Sequence, residues 1–216
     1  MRDPSTIAVV ERAELRGAWD AAYFAYKKVA ELRLRGLERI PLGTPYPEVV
    51  QRVVEVVEMR EFEGRAHLIV DSTGVGTPVV DFLRKARPRA RLKPVWVMSG
   101  DRQSYSDGYY NVPKRDLIIG LQVLFQNRDL RIARNLAHGE TLVEELANVE
   151  VKVTPSGREQ MSAWRQGLHD DLVFAVALAC WGAKEAHPST EEFWVNRHEA
   201  EMAELFKKYE GWKRKG

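Results

Sequence analysis

The chain has 216 residues and one cysteine, Cys180. A single thiol excludes an intramolecular disulfide and a cysteine-built zinc site, and it suits a reducing compartment. Long apolar runs are also missing. The longest, Leu172 to Gly182, falls well short of the ~20 residues of a spanning helix, so no membrane partner is expected. Met1-Arg2-Asp3-Pro4 leads directly into polar and short apolar segments, without the pattern of a secretory signal. Net charge is low as well. Lys and Arg total 33 against 31 Asp and Glu, leaving +2. Any nucleic-acid contact must therefore come from local clusters rather than bulk charge. No phosphate loop of the Gly-x-x-x-x-Gly-Lys-Ser/Thr type occurs, and no internal repeat or low-complexity tract stands out. What is present is an ordinary globular balance, 44% apolar and 30% charged, in a length that suits one domain with a sizeable core, alone or with an appendage.

Strand and helix patterns alternate along most of the chain. Ile7 to Val10 predicts a short strand, followed by a helix-biased or loop insertion carrying Trp19, Tyr23, Phe24 and Tyr26. Val29 to Ile40 alternates apolar and charged residues, which predicts a half-exposed strand broken near Gly36. Glu48 to Phe62, Thr77 to Lys85, Pro113 to Phe125 and Thr141 to Ala147 have helical patterns, with Pro113 expected in a first turn. His67 to Val70, Leu92 to Val97, Leu130 to Ile132 and Val149 to Val153 have strand patterns, and Gln160 to Trp164 is expected to extend as another. Ser99 to Tyr110 is expected to be a polar loop. Asp170 to Ala183 predicts a helix buried on most sides. This order gives an α/β fold class with at least one parallel crossover. The composition shifts after His187-Pro188, so residues 1–186 are expected to form the domain and 187–216 a charged helical tail.

Two acidic motifs carry candidate chemistry. In the first, Leu68-Ile-Val-Asp71-Ser-Thr-Gly74-Val-Gly76, an acid ends a buried strand and glycines permit a tight turn into a helix. Ligand crevices of α/β sheets lie at such strand ends. The plainer reading is an Asx turn. A dinucleotide fingerprint fails, because Val79 stands where a third glycine is needed. In the second motif, His169-Asp170-Asp171, adjacent carboxylates precede the apolar helix. They read as a helix cap or as a cation site, since a divalent ion relieves the repulsion of neighbouring acids. His169 could orient an acid or a water, or simply form a hydrogen bond beside the cap. Hard cations such as Mg²⁺ and Mn²⁺ take carboxylate oxygens, and two-ion phosphodiester hydrolysis draws acids from separate segments.

With the Asp-Ser-Thr-Gly-Val-Gly turn, a Val-Pro-Lys-Arg-Asp-Leu segment at Val112 to Leu117, and Gly167-Leu-His-Asp-Asp-Leu-Val before an Ala-rich helix, the chain resembles the nuclease domain of tailed-phage terminase large subunits. The resemblance spans Asp3 to Trp181. It implies a ribonuclease H-like fold, a central mixed sheet flanked by helices, and a DNA endonuclease that cuts double-stranded concatemers during genome packaging by a two-metal mechanism. It further implies two Mg²⁺ or Mn²⁺ ions, with Asp71, Asp170 and Asp171 as metal-binding and catalytic acids. Implied partners are double-stranded DNA, the terminase ATPase domain, the small terminase subunit and the portal, in the cytoplasm of a bacterial host. Two departures accompany it. The family's first strand, which ends in Asp-x-Gly and supplies the first acid, has no counterpart here, and neither does the ATPase motor. The alternative expectation is accordingly a truncated or split-gene remnant that binds DNA or a partner with little or no catalysis. Another ribonuclease H-like enzyme, a resolvase or transposase, is a third reading.

Of the basic groups, Lys114 and Arg115 are the preferred DNA contacts, because they fall inside the family-like segment. Lys85, Arg87, Arg89, Arg91 and Lys93, and also Arg128, Arg131 and Arg134, could meet phosphates but read equally as solvated faces. Tyr105, Tyr109 and Tyr110 could line a DNA groove or pack a loop.

Overall fold

Alternating apolar and charged residues from Val29 onward do form a strand, but a longer one than the pattern marks. In the computed structural model, which describes residues 4–62, 64–74, 76–148, 152–153, 159–160 and 170–185, β1 (Ser5–Asp20) and β2 (Ala25–Ile40) make one antiparallel hairpin. The expected insertion is thus the hairpin's tip: Trp19 and Tyr26 lie in the strands, and Tyr23 and Phe24 in the turn between them. Cross-strand aromatic contact holds it: the Trp19 and Tyr26 rings meet edge-on at 4.9 Å, and the Arg16 guanidinium lies 3.3 Å from the Tyr26 ring centre. The expected break at Gly36 is a register shift. Val9 pairs with Gly36 and Val10 with Leu34, leaving Arg35 as a bulge. Inward-facing Leu32, Leu34, Leu37 and Ile40 are buried.

Downstream, α1 (Tyr46–Val57) leads to β3 (Ala66–Asp71), α2 (Gly76–Ala86) and β4 (Ala90–Met98). The polar segment expected as a loop holds a second hairpin, β5 (Ser104–Ser106) with β6 (Tyr109–Pro113), turning at Asp107-Gly108 with both residues at positive φ. Asp-Gly is a strong two-residue hairpin signal for that backbone. Pro113 ends β6 and stands at the N-cap of α3 (Lys114–Gln126), one position ahead of the expected first turn. β7 (Leu130–Ile132), α4 (Gly139–Ala147), the two-residue strands β8 (Lys152–Val153) and β9 (Glu159–Gln160), and α5 (Asp171–Glu185) complete the described elements. His169, most of Gln160 to Trp164 and the tail from 187 lie outside the described residues.

Two main sheets result. One has the order β1-β2-β7 and the other β3-β4-β6-β5. β2 runs parallel to β7, and β3, β4 and β6 run parallel to one another. This is the mixed α/β arrangement of sheets flanked by helices that the sequence predicts.

α5 is the element the others share. It packs on β1, β2, β3, α3 and α4. Its Leu172, Val173, Val176, Ala177 and Cys180 are almost wholly buried, and each large aliphatic side chain so buried contributes about 1.5–3 kcal/mol over an exposed one. Its approach to β3 is close. A β-carbon at Gly182 would stand 2.3 Å from Ile69 Cγ1, so glycine is needed where helix and strand meet.

Candidate functional site

Asp71 ends β3, and the turn after it is fixed by several independent bonds. The Asp71 carboxylate accepts the Thr73 N–H at 2.8 Å, the expected Asx turn. Ser72 is fully buried. Its hydroxyl and its N–H both donate to the Val95 carbonyl at 2.8 Å. The Trp96 indole N–H donates to the Ser72 carbonyl, and the Thr73 hydroxyl accepts the Val97 N–H. Gly74 sits at φ +58, and a β-carbon at Gly76 would stand 2.2 Å from the Asp71 carbonyl oxygen. Both glycines of the motif thus have a steric reason, while the bonds of Ser72 and Thr73 anchor the turn after Asp71 to β4.

Asp170 lies immediately before α5, where its carboxylate meets Lys114 Nζ at 3.3 Å. That lysine also sits 5.3 Å from the Phe174 ring centre. The first turn of α5 draws its cap from elsewhere. Glu145 of α4, 6% exposed, accepts the Leu172 and Val173 N–H groups on Oε2 at 3.0 and 3.2 Å, and Arg39 Nη2 on Oε1 at 2.5 Å. An anion at this end is favoured by the unsatisfied amides and by the helix dipole. Arg39 also reaches Asp171 at 3.4 Å. Buried Glu145 and the partly buried Arg39 and Asp171 therefore form a structural network linking β2, α4 and α5.

The two adjacent aspartates consequently have different surroundings. Asp71, Asp170, Asp171 and Lys114 all line one cleft between β1, β3 and α5. Within it Asp170 faces Lys114, while Asp171 is drawn to Arg39. Arg115 is not among the cleft residues and pairs with Asp101 at 3.9 Å and Asp116 at 3.7 Å. Of the wider basic cluster, Arg91 lines the cleft. The tyrosines pack: Tyr109 against Trp96, and Tyr110 against both Tyr105 and Trp181.

Carboxylates from two segments in one cleft suit a hard divalent cation in donor type. Among the described residues, however, no group of three His, Cys, Asp or Glu gathers as a cation site would require. The sequence reading singled out neither Glu145, Arg39 nor Ser72. Glu145 carried a usable signal, because it shares the inner face of α4 with Leu142. A charge on an apolar helical face marks a buried partner.

No protein-family model matches the chain, and no curated protein matches it. Solved structures with a similar course are the human cytomegalovirus terminase nuclease domain, at 12% identity, 86% of each chain and TM-score 0.46. The same domain soaked with Mn matches at 13% identity over 87% of this chain and 85% of that one, TM-score 0.47. Its Mn-soaked, inhibitor-bound form matches at 12% over the same shares, TM-score 0.44.

Proposed function

We propose that this chain is a metal-dependent DNA endonuclease domain of the terminase large-subunit kind, with a ribonuclease H-like arrangement. The observation that carries the reading is that Asp71, from the end of β3, and Asp170, just before α5, line one cleft together with Lys114. These segments are also the motifs by which the sequence resembles terminase nucleases. Asp71 and Asp170 would hold Mg²⁺ or Mn²⁺, and Asp171 would act through Arg39 by fixing the start of α5. A divalent cation held there would supply Lewis-acid chemistry for phosphodiester hydrolysis. Lys114 supplies a cation for the scissile phosphate while holding Asp170 in place. Arg115, paired with Asp101, would contact DNA only after leaving it. Double-stranded DNA is the proposed substrate. The ATPase domain, small subunit and portal of a phage packaging machine are the proposed partners.

Plasmid nicking in Mn²⁺ tests this reading. Asp71→Asn and Asp170→Asn should each abolish cleavage while leaving the unfolding midpoint near that of the parent. Full activity in either variant refutes the assignment. A second reading, DNA or partner binding without cleavage, is favoured by the lack of a third acid beside Asp71 and Asp170 among the described residues. A parent protein that shifts DNA in a gel but never nicks it selects this alternative.

A further inference from the structure

The β1–β2 hairpin is longer than the core needs. Ala8 and Val10 pack on the core from its inner half, opposite buried Leu37 and Leu34. The outermost buried residue is Leu32, opposite Arg12. From Glu14 to Asp20 and from Ala25 to Ala30, no described side chain is buried. At a rise of about 3.3 Å per residue, the ribbon therefore projects roughly 25 Å past that last buried pair.

The tip displays aromatic surface instead of hiding it. Tyr23 is 79% and Phe24 82% exposed, with Trp19 and Tyr26 half exposed beside them. Trp19 meets Phe24 edge-on at 6.4 Å. Phe24 also holds φ +48, in the left-handed region where Gly or Asn is favoured and a bulky residue is strained. Burial returns nothing for that strain, because the ring stands in solvent. Contact with another molecule accounts for a phenylalanine at this position.

The charges of the outer ribbon lean one way. Residues 15–29 hold Arg16, Lys27 and Lys28 against Asp20 alone, an excess equal to the +2 of the entire chain. Nearer the body the cations are matched by carboxylates, Arg33 by Glu31 and Arg35 by Glu11. At the tip, Asp20 is committed to the Ala22 N–H at 3.0 Å and to Lys27 at 3.6 Å. Arg16 makes no ion pair among the described residues, and its guanidinium lies against the Tyr26 ring. Leu15 and Val29 pair with each other on the ribbon's opposite face.

We infer that the outer hairpin is an arm that holds double-stranded DNA away from the cleft, an assignment that rests on the DNA-substrate reading above. Arg16 meets a backbone phosphate, and Tyr23 and Phe24 enter a groove against the bases. A two-stranded ribbon fits a B-form major groove, which is about 12 Å wide. A second copy would set the same cation excess against itself. Thr6 pairs with Arg39, which reaches Asp171, so the cleft lies near the base of the hairpin. From Thr6 to Asp20 the strand runs about 45 Å. A duplex touching both cleft and tip thus spans about 13 base pairs at ~3.4 Å each. The arm positions DNA and takes no part in the chemistry.

Fluorescence anisotropy of the full chain on a duplex of about 30 base pairs, in Ca²⁺ and again in EDTA, reads binding apart from cleavage. Arg16→Ser should weaken binding at least threefold and lower the slope of log Kd against log salt by about 0.9, the loss of one phosphate contact. Tyr23→Ser combined with Phe24→Ser should weaken binding about tenfold and leave that slope unchanged, because ring contacts release no counterions. Both proteins should melt with the parent, since the tip touches no core residue. Parent-like affinity in either variant overturns the arm and leaves the nuclease reading standing. A parent that binds no duplex in either condition removes both. Self-association of the parent that is lost on changing Tyr23 and Phe24 assigns the tip to a second copy and overturns the arm. Equal dependence of polyglutamate binding on those two rings does the same, because the partner is then an acidic polypeptide.

Discussion

Replacing Glu145 with alanine removes the acceptor of two buried amides and the partner of a half-buried guanidinium at once. Leu172 and Val173 are themselves fully buried, so no water replaces Oε2 at their N–H groups without opening the core. A buried donor left unsatisfied costs about 1–3 kcal/mol, so the two amides cost about 2–6 kcal/mol, and Arg39, 23% exposed, adds only a smaller, water-screened loss. Asp171, 3.4 Å from Arg39, offsets part of the second loss. The expected total for Glu145→Ala is therefore about 3–5 kcal/mol. At ~2–4 °C per kcal/mol for a domain of this size, the melting midpoint falls by roughly 6–20 °C. Glu145→Gln keeps a carbonyl for the amides but loses the charge, and should cost about 1–2 kcal/mol. Urea unfolding of both variants gives the ranking. A cycle with Arg39→Met should return a coupling of ~0.5–3 kcal/mol. An alanine variant within ~1 kcal/mol of the parent, or a glutamine variant as damaged as the alanine one, refutes the cap.

Gly182→Ala forces a methyl against Ile69 and should destabilise by about 1–2 kcal/mol, despite alanine's helix propensity. Adding Ile69→Ala should make the second change cost less than it does alone, and strict additivity in urea unfolding speaks against the close contact. Burial pushes the Cys180 thiol up to about 12, so a thiol reagent at pH 8 should react only as fast as the protein opens; immediate reaction of the folded protein contradicts this. Glu31 is held below its ordinary value of 4.5 by hydrogen bonds from Arg33 and then Arg131. Its contribution is present above that value and is lost as pH falls through the lowered one. The stability difference between the parent and Glu31→Gln should thus be larger at pH 7 than at pH 3. An unchanged difference removes the linkage.

The elements with strong periodicity were legible within a few residues: β3, α2, β4, α3 and α5 all fall where their patterns place them. The long hairpin was not, because the outer halves of β1 and β2 are charged and aromatic on both faces and are held by cross-strand pairs such as Trp19–Tyr26 rather than by burial. The Asp107-Gly108 turn was missed for a related reason. Its flanks are Ser and Tyr without apolar alternation, so the turn chemistry alone carried the signal. At the candidate site, the sequence located the acidic segments, and their meeting in one cleft depends on α5 lying beside β3. The different surroundings of Asp170 and Asp171 were out of reach of pattern reading. They are set by Arg39 and Glu145, which come from distant elements.

Because α5 lies at the core's centre and follows every element it packs on in the sequence, the chain emerges from the ribosome with those elements' apolar surfaces uncovered. The β1–β2 hairpin, β3 and α3 can form locally, but each presents an open face until residues 171–185 have been made. Pairing of Leu32 with Leu130 adds a long-range closure of its own. A ribosome stalled before α5 would thus hold a polypeptide with unprotected strand edges and no finished interior, the condition under which nascent chains recruit chaperones or associate with one another.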